Sequence, residues 1–307
     1  MQLPEPLRVL PPLAGARALA LLRDLPQRQV WRIRLDGHEV YLKHFRGPDG
    51  PVAAQGAHDR LCAAGAALDP ARHAVTRPLL LIAAAGVLVT EPAAGQPLGA
   101  LLARSRPEAR AQLLARTGGW LADLAGASRD IGSFGPRFWI DGLRVRLERV
   151  AQEDWLDTPL ARAHLARMQE AAPALRRAPV QRALLHGDLT GDNLFFDAAT
   201  GRITGLDMQD WGPIAVARDM ARLLVWLESR RAADTGPRID GIAAADHRAL
   251  CAVPELIAAD QRPILRFMIA ELLLAYYLDS ARQPDRRAAL AAAMRAWAQP
   301  GSASAAS

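Results

Sequence analysis

An α+β chain, with a small β-rich region followed by a larger helical one, is predicted by three observations. Across the first ninety or so residues, apolar positions alternate with polar ones in short runs. Beyond residue 97 the apolar spacing becomes that of helices, and between the two lies the Gly/Pro-punctuated stretch Pro92–Pro97. A period of two marks half-buried strands and a period near 3.6 marks helices, so the switch divides the chain.

The elements follow in order. After an apolar segment from Ala14 to Leu22, Trp31, Ile33 and Leu35 alternate with Arg32 and Arg34. Asp36-Gly37 supplies a turn, and Val40, Tyr41, Leu42 and Phe45 return, a hairpin pattern over Gln29–Phe45. The loop ahead of it, Asp24–Gln29, contains no glycine. A helix is expected from about Val52 to Ala64, then strands at Leu79–Ile82 and Val87–Glu91 joined through Ala83-Ala84-Ala85-Gly86. Further on, Leu113, Thr117, Leu121 and Leu124 recur at helical spacing, as do Met220, Leu223, Leu224 and Leu227. Ile264–Leu278 is apolar nearly all round, as a helix buried in a larger body is. The domain assignment is an N-terminal lobe at 1–91, a hinge at 92–97, a helical lobe at 98–299 and a disordered tail at 300–307.

Composition narrows the function classes. The 307 residues are enough for one large domain or two lobes. The net charge of +6 comes from dispersed arginines such as Arg104, Arg106, Arg110 and Arg116, with only 5% aromatics. Nucleic-acid binding, which wants a concentrated basic face, is therefore not expected. Two distant cysteines, Cys62 and Cys251, are too few for a cysteine metal site and fit a reducing compartment. The N-terminus, with Pro4, Glu5 and Pro6, lacks the layout of a signal peptide. The most apolar stretch, Leu79–Val89, is too short to span a bilayer, so a cytoplasmic location is expected. The sequence leaves the oligomeric state open.

The chemistry-bearing run is His186-Gly187-Asp188-Leu189-Thr190-Gly191-Asp192-Asn193, followed by Gly205-Leu206-Asp207. Leu194-Phe195-Phe196 and Ile203–Leu206 read as two short strands around an Asp197–Gly201 turn, a hairpin that holds Asn193 and Asp207 at its two ends. Phosphoryl transfer needs such a set: one Asp (Asp188) to orient the acceptor hydroxyl and take its proton, and an Asn and a second Asp (Asn193, Asp207) to hold magnesium. Taken alone the run also suits an ordinary loop, because His, Gly, Asp and Asn favour turns. Asp192 reads as solvated or capping. Lys43, on the returning strand of the first hairpin, would contact nucleotide phosphates and need a carboxylate from the next helix. Asp59 is the candidate and Gln55 a neutral substitute; the plainer reading of Lys43 is a lysine snorkelling at a sheet edge. Asp219 opens an amphipathic helix, as a first-turn acid or as a brace for the catalytic loop. Asp210 and Trp211 are possible substrate contacts.

In combination, Lys43, Glu91 ahead of Gly95-Gln96-Pro97-Leu98, His186-Gly187-Asp188 with Asn193, Asp207, and Asp219-Met220-Ala221 resemble the aminoglycoside phosphotransferase and choline kinase-like superfamily, over roughly residues 20–280. The resemblance implies a bilobal protein-kinase-like fold with Mg-ATP (or GTP) as donor and a small-molecule hydroxyl as acceptor. It implies catalysis by Asp188, metal binding by Asn193 and Asp207, and support from His186 and Asp219. Nucleotide contacts would come from Lys43, Asp59 and the hinge backbone from Glu91 to Ala93.

The chain departs from that pattern in the glycine-free loop, where Arg28 or Gln27 would have to replace backbone cradling of the phosphates. It also has Asp59 where Glu is expected and Met208 where an aromatic is common. The acceptor stays open among a sugar or amino sugar, an amino alcohol and an aminoglycoside-like compound. For a cationic acceptor the candidates are Trp211, Glu271, Tyr276, Tyr277 and Asp279, most of them on a helix that looks like core. No Walker-type Gly-rich Lys-Ser/Thr run occurs, which excludes a P-loop enzyme. The alternative function is a catalytically degenerate nucleotide-binding or scaffold protein, against which the intact Asp188, Asn193 and Asp207 weigh.

Overall fold

The computed structural model of the chain describes residues 2–209, 212–232 and 236–299. Its α+β architecture divides into two compact units. The first takes the chain up to Gln96 together with Asn193–Gln209, and the second takes the remainder. The hairpin bearing Asn193 and Asp207, expected from sequence in the helical lobe, falls in the unit of the N-terminal strands.

Three consecutive antiparallel strands, β1 (Arg17–Leu25), β2 (Arg28–Leu35) and β3 (His38–Phe45), begin the first unit. Strands Val87–Thr90 and Pro78–Ile82 continue the sheet beyond β3. The expected hairpin is β2–β3, with Asp36 and Gly37 at positive φ in its turn. The segment expected only as apolar is itself β1. Its outward residues Leu21, Leu22 and Leu25 are exposed, so the sequence carries no clean alternation there. The glycine-free loop shrinks to the two residues Pro26 and Gln27, since Leu25 already pairs with Arg28.

A cluster of Leu3, Leu7, Leu13, Trp31, Ile33, Val40, Leu42, Val87 and Val89 closes one face of this sheet. Each such side chain contributes roughly 1.5–3 kcal/mol when fully buried. Because side chains alternate along a strand, Lys43 projects from the face opposite Val40 and Leu42. β3 is an interior strand, so Lys43 is not an edge lysine. The helix Gly50–Ala67 packs against β3, Pro78–Ile82 and Val87–Thr90 through Ala54, Ala57 and Leu61.

The predicted hairpin forms from Leu194–Asp197 and Arg202–Gly205, Leu194 facing Gly205. The short strand His73–Val75, which the sequence did not announce, lies parallel to Arg202–Gly205. Gly95, at φ +88, approaches this hairpin so closely that a Cβ there would sit 2.1 Å from the Phe196 carbonyl oxygen.

The second unit is built around the helix Arg262–Leu278, which packs against Pro136–Val150, Thr158–Leu175, Val216–Glu228 and Pro284–Trp297. All but a few of its side chains are buried, as its all-round apolarity requires. Leu113, Thr117, Leu121 and Leu124 form the buried stripe of the helix Pro107–Gly126. This unit also holds a three-stranded antiparallel sheet of Asp130–Ser133, Pro179–Ala183 and Ile214–Ala215, too short to leave a periodic trace in sequence. Among the described residues, no helix is long and apolar enough to cross a membrane. The predicted tail at 300–307 lies outside the described residues.

Candidate active site

In the first unit the charged centre is Asp207. The backbone N–H of Leu206 donates to the Asn193 carbonyl at 3.0 Å, closing the open end of the hairpin, so Asn193 and Asp207 stand beside its two strand ends as expected. Asp207 has φ +60, a left-handed conformation that Asp tolerates better than most residues but still at some cost. Lys43 Nζ lies 2.8 Å from its Oδ1. Arg28, at the start of β2, places Nη1 3.2 Å from Oδ1 and 3.1 Å from Oδ2. One carboxylate thus gathers two cations, and the three side chains are only 11–17% exposed. Arg28 is the residue proposed to stand in for a glycine-rich cradle, and it does reach the charged centre.

Asp59 does not hold Lys43. Its carboxylate is 60% exposed and bonds Gln55 at 2.8 Å and the His58 ring at 3.0 Å, contacts that hold its pKa below the usual range. Gln55, the neutral alternative, is occupied by that same bond. One helix position along is about 100° round the axis, and Arg60, not Asp59, points inward. Its Nε donates to the carbonyl of Met208 at 2.9 Å and so fastens the backbone next to Asp207. Sequence reasoning missed Arg60 because it looked for an acid.

At the expected hinge, Arg77 and Glu91 are stitched together. The Glu91 N–H donates to the Arg77 carbonyl (3.0 Å), and Arg77 donates N–H and Nε–H to the Glu91 carboxylate (3.1 and 3.3 Å). Glu91 and Ala93 also line a cavity of about 610 Å³ with Leu61, Cys62, Val75 and Thr204. Neither Lys43 nor Asp207 is on its wall.

In the second unit the loop bearing Asp188 is clamped at both ends. Asp219, fully buried in the helix Val216–Glu228, accepts from the backbone N–H of His186 (2.8 Å) and of Gly187 (3.1 Å) through Oδ2. Burial raises its pKa, against the opposing influence of His186 and these N–H groups. It makes no side-chain cap for its own helix, but stands in its first turn and accepts from the loop as well. His186 is buried against Trp120, and its Nδ1 accepts from the Asp188 N–H at 3.2 Å. At the other end, Gly99 N–H donates to the Gly191 carbonyl at 2.9 Å, and a Cβ on either glycine would fall within 2.4–2.6 Å of the Trp226 ring.

Asp188 keeps 35% of its side chain exposed and takes Arg222 Nη1 on Oδ1 at 3.1 Å. Arg222, one turn beyond Asp219 on the same helix, was not singled out from sequence, although the i, i+3 spacing places it on the loop side. Asp192 is 64% exposed and pairs with Arg230, in keeping with its reading as a solvated bystander. Of the residues considered for a cationic acceptor, Glu271 is buried against Arg218, Tyr277 accepts from the Asp157 N–H, and Asp279 pairs with Arg146. Tyr276 bonds Arg222. Asp210 and Trp211 lie outside the described residues.

The oxygen chemistry at Asn193 and Asp207 suits magnesium. That ion takes hard oxygen ligands and is held by one or two protein groups plus substrate phosphates, not by a full protein cage. The carboxylate of Asp207 already attracts two cationic groups, as a cation site must.

Comparison with known proteins agrees with this architecture. Several solved structures of aminoglycoside phosphotransferase APH(4)-Ia superpose on the chain. One is a thermostable mutant in ternary complex with AMP-PNP and hygromycin B, at TM-score 0.58 and 16% identity over 91% of this chain and 94% of that one. Another is the protein without that designation, at TM-score 0.55 and 17% identity over 92% and 95%. At such identity the likeness speaks for the fold alone. No curated protein sequence matches. The model of a family described as the phosphotransferase enzyme family matches residues 20–256, more than half of the chain, and the protein belongs to that family.

Proposed function

We propose that the protein is a small-molecule kinase that moves the γ-phosphoryl group of ATP or GTP to a hydroxyl of a small acceptor. The observation that carries this reading is the pairing of Lys43 and Arg28 with Asp207, beside Asn193 at the mouth of one hairpin. Asn193 and Asp207 would hold magnesium, which when bound neutralises phosphate charge. Lys43 and Arg28 would supply positive charge to the same phosphates. The backbone from Glu91 to Ala93 meets the base.

Asp188 orients the acceptor hydroxyl. Its oxygen bonds to the γ-phosphorus, the bond from that phosphorus to the β-bridging oxygen breaks, the nucleoside diphosphate leaves, and the proton passes to Asp188. Arg222 holds that carboxylate, and the His186 ring holds the backbone N–H of the same residue. Positioning and electrostatics account for the chemistry, with no covalent enzyme intermediate. The acceptor class is not carried over from the neighbours, one of which is bound to hygromycin B.

Nucleoside diphosphate release, measured with a panel of polyols, sugars, amino alcohols and their acids, tests the reading. Asp188→Asn is expected to cut turnover by about 10²–10⁴-fold while Mg-nucleotide binding stays within about twofold of wild type. Unchanged turnover in that variant, or no acceptor-dependent release by wild type, would count against Asp188 as the base and favour the non-catalytic alternative.

A further inference from the structure

One cleft of the second unit, reached from Asp188 through Arg222 and Tyr276, is lined by two arginines, Arg230 and Arg286, and one described acid. Asp188 is joined through Arg222 to Tyr276, and Tyr276 forms one wall of a cleft of about 240 Å³. Trp226, Ser229, Arg230, Gln283 and Arg286 complete much of that wall, and its one described acid, Asp279, pairs with Arg146 at 2.7 Å. Arg230 Cζ lies over the Trp226 ring, 3.9 Å from its centroid, and its Nη2 reaches Asp192 at 3.2 Å. That pair is largely exposed on the Asp192 side and so contributes little. Burial, and after it the charge of Arg286, lowers the pKa of Arg230, so two guanidinium groups repel across this cleft.

A second cleft, of about 530 Å³, shares Trp226 and Arg230 and adds Arg110 and Arg231. The acids behind it are spoken for: Asp246 takes both Arg110 and Arg231, and Glu228 takes Arg231 and Arg238. Glu271 is held by Arg218. A cationic acceptor entering here would meet like charge and find Asp246, Glu228 and Glu271 buried in pairs with arginines, leaving only the exposed Asp279 and Asp192. An anion would instead gain charge-assisted bonds from planar guanidinium groups that fit carboxylate and phosphate oxygens two at a time.

We propose that the acceptor carries an anionic group, a carboxylate or a phosphate, seated between Arg230 and Arg286, with its reactive hydroxyl turned toward Asp188. This deepens the kinase reading above and rests on it.

The test is calorimetric titration in the presence of saturating Mg-AMP-PNP, at fixed ionic strength, so that the nucleotide's own phosphate site is filled. The probes are D-glycerate, D-glucuronate and D-glucose 6-phosphate against glycerol, D-glucose and D-glucosamine. At least one anion is expected to bind about tenfold or more tightly than its neutral counterpart, with glucosamine weakest. Carboxylate and phosphate probes within the set show which anion the cleft prefers. Arg286→Glu, a change on the surface of the helix Pro284–Trp297, should weaken the bound anion by about tenfold, and Arg286→Lys by much less. Arg230→Gln gives a second reading of the same site.

Glucose or glucosamine binding as tightly as the acids would overturn the proposal, as would anion binding indifferent to Arg286→Glu and Arg230→Gln. So would the absence of any anion binding at about 10 mM. Mg-AMP-PNP binding is recorded on the same samples. Its failure counts against the kinase reading, whereas its success with no anion binding counts against the acceptor class alone.

Discussion

His186 and Gly187 give their backbone N–H groups to a fully buried carboxylate, Asp219, whereas the carboxylate of Asp207 is shared by two side chains, Lys43 and Arg28, that keep some contact with solvent. The first arrangement fixes a backbone. A side chain without an acceptor oxygen in place of Asp219 leaves the His186 and Gly187 N–H groups unpaired, and Trp226 against Gly99 and Gly191 fastens the far end of the same loop. The second arrangement is exchangeable. The three side chains are only 11–17% exposed, so one partner can be given up only when a group of the same sign takes its place and leaves no buried charge unpaired. On the proposed kinase reading, the contrast would separate residues that position, buried and bonded to main chain, from residues that would meet the ligand, partly buried and bonded to other charges.

Breaking the first side of the contrast should cost stability. Asp219→Ala leaves the N–H groups of His186 and Gly187 without an acceptor, at about 1–3 kcal/mol for each buried donor. A fall in melting temperature of roughly 5–10 °C is expected by calorimetry, together with loss of turnover. Because burial raises the Asp219 pKa, its contribution is fully present below the unfolded carboxylate value and fades as pH rises through the folded one. The deficit of the variant relative to wild type should therefore be larger in acid than in mild alkali, and a deficit independent of pH would remove this account of Asp219.

Gly191→Ala tests the other clamp. Its Cβ would lie 2.6 Å from the Trp226 ring, so either the ring or the loop must move, at about 1–3 kcal/mol. Chemical denaturation measures the loss, and wild-type stability in this variant would show the loop end to be loose.

The least effect is expected at Asp59. Asp59→Asn should change stability by no more than about 0.5 kcal/mol and leave nucleotide affinity unaltered, because its partners are Gln55 and His58 at the surface. A marked loss of nucleotide affinity would restore Asp59 as the partner of Lys43.

What the sequence showed and what it hid follow from the range of each interaction. The hairpin at Asn193 and Asp207, the loop around Asp188 and the buried helix Arg262–Leu278 are written in local spacing, and all three formed as expected. A first-turn acid and a loop brace are the two roles read for Asp219, and it stands in the first turn and accepts from the loop. The partner of Lys43 lies 164 positions away, so the sequence offered only a nearby acid, and it was the wrong one. β1 escaped notice because Leu21, Leu22 and Leu25 face solvent. The narrow approach of Gly191 to Trp226 and the surplus of arginine over acid in the clefts exist only once the helices are packed.

The central claim is that Asp207 stands where magnesium and the nucleotide phosphates bind. Melting temperature measured with and without Mg-ATP and Mg-GTP, on wild type and on Asp207→Ala, tests it most directly. Ligand at about 100 times its Kd stabilises the folded state by roughly 2.7 kcal/mol, and the account predicts that rise for at least one nucleotide in wild type, dependent on magnesium and absent from Asp207→Ala. A wild-type protein unmoved by either nucleotide, or a variant that keeps the full rise, would contradict it.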